Sequence, residues 1–339
     1  MPALPPLVGR ARRAVAEVLD ADGLNLVACS GGADSLALAV AAAHHHRRGD
    51  APVGAVVVDH GLHPHSAEVT ETAVAQLRGL GLDPVVSLTV EVDAHSPEGP
   101  EAAARRARYR AFVRALEETG ASRVLVAHTR DDQAEQVLLG LARGSGTRSL
   151  AGMPAARGPF RRPLLGLSRE DTEAICAWAG LIPWLDPANQ DTRLLRARVR
   201  SEILPHLQEH LSGSIREALA RTAQIAAEDA DLLDSQAQAL FAQLVEDLDD
   251  VGRLRLPMDR LAAQPAALRR RVLALAVVAV GGSAPSFERL RAVEGLLSRQ
   301  GSAGPVQLEG QVSAHRGTHE SPEYGKLVLV PRGAATPEP

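Results

Sequence analysis

The 339-residue chain is 45% hydrophobic, has a net charge of −4 and contains two cysteines. That is enough apolar material for two packed domains; with neither Cys29 nor Cys176 in a Cys-x-x-Cys pair, it excludes a disulfide framework or a zinc site. No run approaches the ~20 apolar residues of a membrane span, and Met1 to Leu7 lacks the apolar stretch of a signal peptide, so a soluble cytoplasmic protein with no membrane partner is expected.

Lys326 is the only lysine, and the other 36 basic residues are arginine. Residues 1–206 hold 23 Arg against 24 acids, and residues 207–339 hold 14 basic residues against 17 acids. Neither part is basic overall, so any nucleic-acid partner must be met by a local patch.

Arg10 to Leu19 reads as a short amphipathic helix. Leu24 to Cys29 is an apolar run broken only by Asn25, as a strand would be. Ser30-Gly31-Gly32-Ala33-Asp34-Ser35 follows, and then Leu36 to Ala43, alanine-rich and apolar like a buried helix. Strand, glycine turn and helix in that order gather backbone N–H groups into an anion site. No Lys follows these glycines, which excludes the P-loop, and the glycines are adjacent, which excludes the dinucleotide fingerprint. Ser-Gly-Gly-x-Asp-Ser resembles the pyrophosphate loop of the ATP pyrophosphatases. The resemblance implies that Ser30, Gly31, Gly32, Ala33, Asp34 and Ser35 grip the phosphates of ATP, with Asp34 also on a Mg²⁺ bound to them.

A second strand, Val53 to Val58, ends in Asp59-His60-Gly61-Leu62-His63. Ser66 caps a helix that runs to Leu80, and a third strand spans Val85 to Val92. Pro97 to Pro100 is a loop. Glu101 to Thr119 is a long helix carrying Arg105, Arg106, Arg108, Arg110 and Arg114. A fourth strand, Arg123 to Ala127, ends in His128, and Asp131 to Ala142 is helical. Alternating strands and helices predict a parallel, doubly wound sheet covered on both faces. Ligands bind such sheets at the carboxyl ends of strands, where Ser30, Asp59 and His128 lie.

Beyond Gly152 the texture changes. Arg157 to Leu165 reads as a loop, Ser168 to Ala179 as a helix, and Asp186 to Arg200 as a polar, arginine-rich stretch. On a helix Arg193, Arg196 and Arg200 would share one face. Ser214 to Leu248 is one long helical pattern; Pro265 to Val280 and Ser286 to Ser298 are two more helices. Residues 306–308, 311–313 and 327–330 suggest a small strand meander. The expected division is a catalytic domain over 1–206, a mainly helical domain over 207–330 and a disordered tail over 331–339. His44-His45-His46 reads as a polar helix end, and Trp178 and Trp184 as packing residues.

The second chemical signal is His128-Thr129-Arg130-Asp131-Asp132-Gln133-Ala134-Glu135. Ala134, Val137, Leu138 and Leu141 share a core face, while Asp131, Asp132 and Glu135 gather at the helix start. Acids in a first turn favour any helix through its dipole. That accounts for one or two of them, but not for His128 or for the Arg143-Gly144-Ser145-Gly146 loop that follows. His-x-x-Asp-Asp-Gln-x-Glu with that loop resembles the signature of the tRNA(Ile)-lysidine synthetases. Asp59-His60-Gly61-Leu62, Glu101-Ala102-x-Ala104-Arg105-x-x-Arg108-Tyr109, Arg162-Pro163-Leu164-Leu165 and Asp186-Pro187-x-Asn189-x-Asp191 match as well. Ala197, where the family commonly has Asn, and Gln136, where Thr is usual, depart from the pattern.

The resemblance implies an adenine nucleotide alpha hydrolase-like α/β fold of the PP-loop type, with a mainly helical C-terminal domain. It implies ligation of free L-lysine to C2 of the wobble cytidine of a tRNA(Ile) with CAU anticodon, through an adenylated base, giving AMP and pyrophosphate. Asp34, His128, Asp131, Asp132 and Glu135 are then the catalytic candidates, with the three clustered acids holding lysine. Asp59 and His60 join the nucleotide site, and Arg105, Arg108, Arg143, Gly144, Arg196 and Arg200 bind substrate. ATP and Mg²⁺ are the implied cofactors, and a homodimer is compatible with it. The alternatives are a tRNA thiolase on the same loop, which usually needs cysteines this chain lacks, and a small-molecule adenylating ligase, which would not need the arginine helix.

Overall fold

The computed structural model describes residues 4–61, 65–93, 96, 99–144, 146–187, 191–245, 247–249, 252–298 and 303–331. The expected disordered tail falls outside them apart from Pro331, as do Leu62, His63, Ser145 and Asn189 of the quoted motifs. The chain forms two compact units, Met1–Ile225 and Ala226–Pro339. The division falls inside a long helix, later than the expected one near residue 206.

In the first unit, α1 (Pro6–Ala16) starts earlier than Arg10, because proline at the first helical position has no N–H to leave unpaired. Then follow β1 (Asn25–Cys29), α2 (Ala33–Arg48), β2 (Val53–Asp59), α3 (Ser66–Gly79), β3 (Val85–Thr89), α4 (Pro100–Thr119), β4 (Arg123–Val126) and α5 (Arg130–Ala142). A one-turn α6 (Thr147–Leu150) leads into β5 (Ala156–Arg157) and β6 (Phe160–Arg161), so the stretch expected as a loop holds two short strands. A 3-10 turn (Pro163–Gly166), α7 (Arg169–Ala179), α8 (Leu195–Arg198), a π turn (Val199–Ile203) and α9 (Leu204–His210) complete the run up to α10 (Ile215–Leu244). Pro205 has no N–H to offer the carbonyl of Ser201, and the helical ladder is locally rewound there.

The sheet order is β3-β2-β1-β4-β6-β5, parallel except for β5 against β6. Strand β1 shows why it is buried on both sides. Val27 and Cys29 face a core built with α1, α2, α3 and α7, while Leu26 and Ala28 face one built with Ala111, Phe112 and Ala115 of α4. Helix α2 packs deep in the first core because Ala37, Ala39 and Ala41 to Ala43 are fully buried small residues that allow close approach. The order implies a switch point between β1 and β4, since β2 and β3 extend on one side and β4 returns on the other.

The second unit holds the end of α10, then β7 (Asp247–Leu248), β8 (Leu254–Pro257), α11 (Met258–Ala262), α12 (Ala266–Ala279), α13 (Phe287–Leu297), β9 (Val306–Leu308), β10 (Val312–Arg316) and β11 (Lys326–Pro331). Its sheet, β7-β8-β11-β10-β9, is antiparallel throughout. The expected meander is there, widened by β7 and β8. Leu254 and Leu256 alternate inward with Leu327, Leu329 and Val312, against Val272, Leu273 and Ala276 of α12.

Candidate active site

The switch point places the loop after β1 beside the turn after β4, and both chemical motifs sit there. Gly31 adopts φ +80°, which only glycine takes without strain, and its carbonyl accepts from Trp184 N at 2.9 Å. Ser35 stitches the loop: its Oγ donates to Gly32 O at 2.9 Å and accepts from Ser30 N at 3.2 Å. Ser30 is exposed, so its hydroxyl is open to a ligand. Gly32 is the N-cap of α2, and the first N–H groups of that helix have no intrahelical acceptor.

Asp34 lies one step into α2. Thr172 Oγ1 donates to its Oδ1 at 2.5 Å, and Arg169 Nε stands 3.8 Å from Oδ2. Burial pushes its carboxyl up to about 6, only partly opposed by those two partners.

Asp132 and Glu135 lie on one face of α5. Thr129 and Asp132 form a capping box at the helix start: Thr129 N donates to Asp132 Oδ2 at 2.8 Å. The other oxygen, Oδ1, accepts from Arg200 Nη2 at 3.2 Å and Arg196 Nη2 at 3.3 Å, with Arg169 Nη2 at 3.8 Å. Glu135 is fully buried and accepts from Arg196 Nε at 2.8 Å, Arg200 Nε at 2.6 Å and Arg200 Nη2 at 3.0 Å. Arg196 and Arg200 therefore share a face as expected, but Arg193 precedes the helix and folds back onto Asp191 at 2.8 Å. Asp131 faces elsewhere. It accepts from Arg169 N, the first residue of α7, at 2.9 Å and from Arg216 Nη1 at 2.9 Å. The structure thus brings together Asp34, Asp132 and Glu135 with Arg169, Arg196 and Arg200, and ties Asp131 to a helix end.

Two histidines flank this centre. His128, just after β4, accepts at Nδ1 from Arg162 Nε at 3.2 Å. His60, just after β2, accepts at Nε2 from Arg108 Nε at 3.2 Å. Desolvation and the adjacent guanidinium push each imidazole down to about 4. The Nδ1 of His60 is buried without a partner among the described residues. Asp59 accepts from Gly61 N at 2.9 Å in a tight turn. Arg105 is exposed and stacks over Tyr109 at 5.0 Å. Arg143 and Gly144 are exposed after α5, with Gly144 at φ +63°.

Nothing local in the sequence marks Arg169, Thr172 or Arg216, and Arg162 stands in its motif without a sign of its partners. Cys29 and Cys176 are both buried, the latter donating to Ala33 O at 3.3 Å. Of the other expectations, His45 and His46 do pack at a helix end: His45 lies between Asp50 Oδ2 and Arg12 O, each at 2.9 Å, and His46 Nδ1 accepts from Val53 N. Among the described residues no helix is long and apolar enough to cross a membrane.

A family model described as a PP-loop domain matches residues 10–207, and one described as a TilS substrate binding domain matches residues 256–319. The tRNA(Ile)-lysidine synthase of Leifsonia xyli subsp. xyli is 50% identical over 287 residues, covering 85% of this chain and 86% of that protein. The tRNA(Ile)-lysidine synthase of Streptomyces coelicolor is 46% identical over 311 residues, 90% of this chain and 85% of that one. That of Salinispora arenicola is 45% identical over 340 residues, 97% and 98% of the two chains. Among solved structures, the U34-tRNA thiolase NcsA from Methanococcus maripaludis with its 4Fe–4S cluster aligns with a TM-score of 0.54 and 17% identity, covering 66% of this chain and 80% of that one. That likeness concerns the fold alone. With the glycine loop and the His128–Glu135 helix meeting at one switch point, and with relatives matched over nearly their whole length, the chain belongs to the tRNA(Ile)-lysidine synthase family.

Proposed function

We propose that this chain is an ATP-using ligase that joins the ε-amine of free L-lysine to C2 of the wobble cytidine in a tRNA(Ile) with CAU anticodon. The observation that carries it is the juxtaposition, in a chain of this family, of the loop Ser30–Ser35 with the cluster around Glu135. The cytosine O2 attacks the α-phosphate of ATP and pyrophosphate leaves. The lysine amine then adds to C2, and AMP departs with O2. The exposed Ser30 hydroxyl and the first N–H groups of α2 face developing charge on pyrophosphate.

Among the described residues no group of three or more His, Cys, Asp or Glu side chains stands close enough to hold a metal alone. Mg²⁺ in nucleotide enzymes typically takes one or two carboxylates plus phosphate oxygens. Asp34 fits that donor set, because among the described residues the one ion pair of its Oδ2 is the long contact to Arg169 Nε, at 3.8 Å. Bound there, Mg²⁺ would neutralise phosphate charge, and Asp34 and Ser30 are the residues of this chain placed to hold the metal–phosphate unit.

Asp132, Glu135, Arg169, Arg196 and Arg200 present both signs of charge within one small volume. That suits an amino acid, whose α-carboxylate and ammonium groups can exchange with partners of either sign. Among the described residues exposed Arg105 and Arg143 form no ion pair with a carboxylate, which suits them to tRNA phosphate or an unstacked base. The thiolase alternative is not favoured, since both cysteines are buried. The test is AMP release that requires free lysine and a CAU-anticodon tRNA(Ile) transcript together. AMP release without either would refute it.

A further inference from the structure

Arg162 is 5% exposed and has no carboxylate partner among the described residues. Its guanidinium is held by three neutral acceptors: Nη1 donates to Pro154 O at 2.8 Å, Nη2 to Tyr109 Oη at 3.2 Å, and Nε to His128 Nδ1 at 3.2 Å. The backbone is pinned too, with Arg162 N donating to Ala155 O at 2.8 Å. Tyr109 is itself wedged edge-on against Phe112 and Phe160, at 5.6 and 5.0 Å between ring centres. Strand register explains the meeting. β4 and β6 are parallel neighbours with Leu125 opposite Arg161, so the residues that follow each strand emerge side by side.

A buried cation without an anion is costly, and this one is spent on an imidazole. A guanidinium can only donate, so His128 Nδ1 must present its lone pair. The proton of the neutral ring is then on Nε2. A doubly protonated ring would set N–H against N–H and cation against cation. We propose that Arg162 is a positioning residue that locks His128 as the neutral Nε2–H tautomer, making His128 a hydrogen-bond donor to substrate and not a general base. This rests on the placement of His128 in the active site proposed above. Among the described residues the charged groups around His128 are Asp132 of α5, Arg162, Arg196 of α8 and Arg105 of α4, three cations to one anion. Burial opposes the imidazolium most; Asp132 favours it, and the three cations oppose it.

The test begins with the unmodified full-length chain labelled with ¹⁵N-histidine, with His128→Gln identifying the resonances. Two-bond ¹⁵N–¹H correlation should show His128 as the Nε2–H tautomer, unchanged from pH 5.5 to 8.5. An Nδ1–H tautomer, or protonation within that range, overturns the proposal without any variant having to fold. Arg162→Met should lower lysidine formation roughly 10–100-fold, mix the two tautomers, and add an acid limb to the pH–rate profile as His128 starts to titrate. Arg162→Lys, which keeps the charge but loses the fork, should restore the flat profile only in part. A Met variant with the wild-type tautomer and pH profile overturns it. His128→Ala with full activity would overturn the donor role of His128 and with it this proposal, whereas AMP release that still requires lysine and tRNA would leave the proposed function standing.

Discussion

Replacing Glu135 by alanine is the sharpest test of the charge cluster. Glu135 is fully buried and accepts three N–H bonds from Arg196 and Arg200 at 2.6–3.0 Å. Without it, both guanidiniums are left with Asp132 Oδ1 at 3.2 and 3.3 Å, an oxygen that Arg169 already approaches. Removing one partner of a buried ion pair costs about 3–5 kcal/mol. The arginine side chains are 24% and 22% exposed, so water compensates part of this and the lower end applies. About 3 kcal/mol in a unit of this size corresponds to a fall in Tm of roughly 6–12 °C. The assay is thermal unfolding followed by circular dichroism at pH 7.5. Pairing Glu135→Ala with Arg200→Ala should recover part of the loss, because the second change removes a stranded cation. A single variant melting within about 2 °C of wild type, or losses that simply add, would show that the cluster does not balance its charges in this way.

Further outcomes follow from the same geometry. Asp34 has a folded-state carboxyl at about 6 against 3.8 unfolded, so the folded protein holds the extra proton and loses stability as pH rises from about 4 to 6. Asp34→Asn should therefore raise stability at pH 8 by about 2–3 kcal/mol, raise nothing at pH 4, and abolish lysidine formation; equal melting at both pH values would contradict this. His60 and His128 act in the opposite sense: their folded values near 4 lie below 6.5, the unfolded chain binds the protons, and stability falls as pH drops from 6.5 to 4. His128→Gln should flatten that decline in pH-dependent melting curves. For tRNA binding, Arg105→Ala and Arg143→Ala should each lower the log–log salt slope by roughly 0.7–0.9, whereas Arg196→Ala and Arg200→Ala should lower stability more than slope, as filter binding across a salt series would reveal.

Much of this was legible because its signals are local. Gly31 and Gly32 between an apolar strand and an alanine-rich helix define the loop; Ser168 and Ser286 cap the helices they open, whereas Ser66, expected as a cap, is the first residue of α3, with His65 at the N-cap and no side-chain cap bond. Apolar runs placed the ends of β1, β2 and β4 within a residue or so. The rest depends on distance in space. The pairing of Arg196 and Arg200 with Glu135 spans more than 60 residues, so no periodicity announces it. Read locally, those arginines look like a solvated grip for RNA; so do Arg269, Arg270 and Arg271, which the structure commits to Glu294 and Asp234. Two-residue strands such as β5 and β6 are too short to show alternation. Arg162 was visible as a letter in a motif, but its role needs the register of β4 against β6.

The capping box at the start of α5 has a consequence for how a ligand is received. Thr129 fixes the Asp132 side chain as soon as the helix forms, so the same carboxylate both starts the helix and faces the site. Ordering a free side chain on binding costs about 0.5–1.5 kcal/mol. Here that rotamer entropy is already lost during folding, before any substrate arrives. The carboxylate is preorganised, and an incoming group meets an acceptor whose position owes nothing to induced fit.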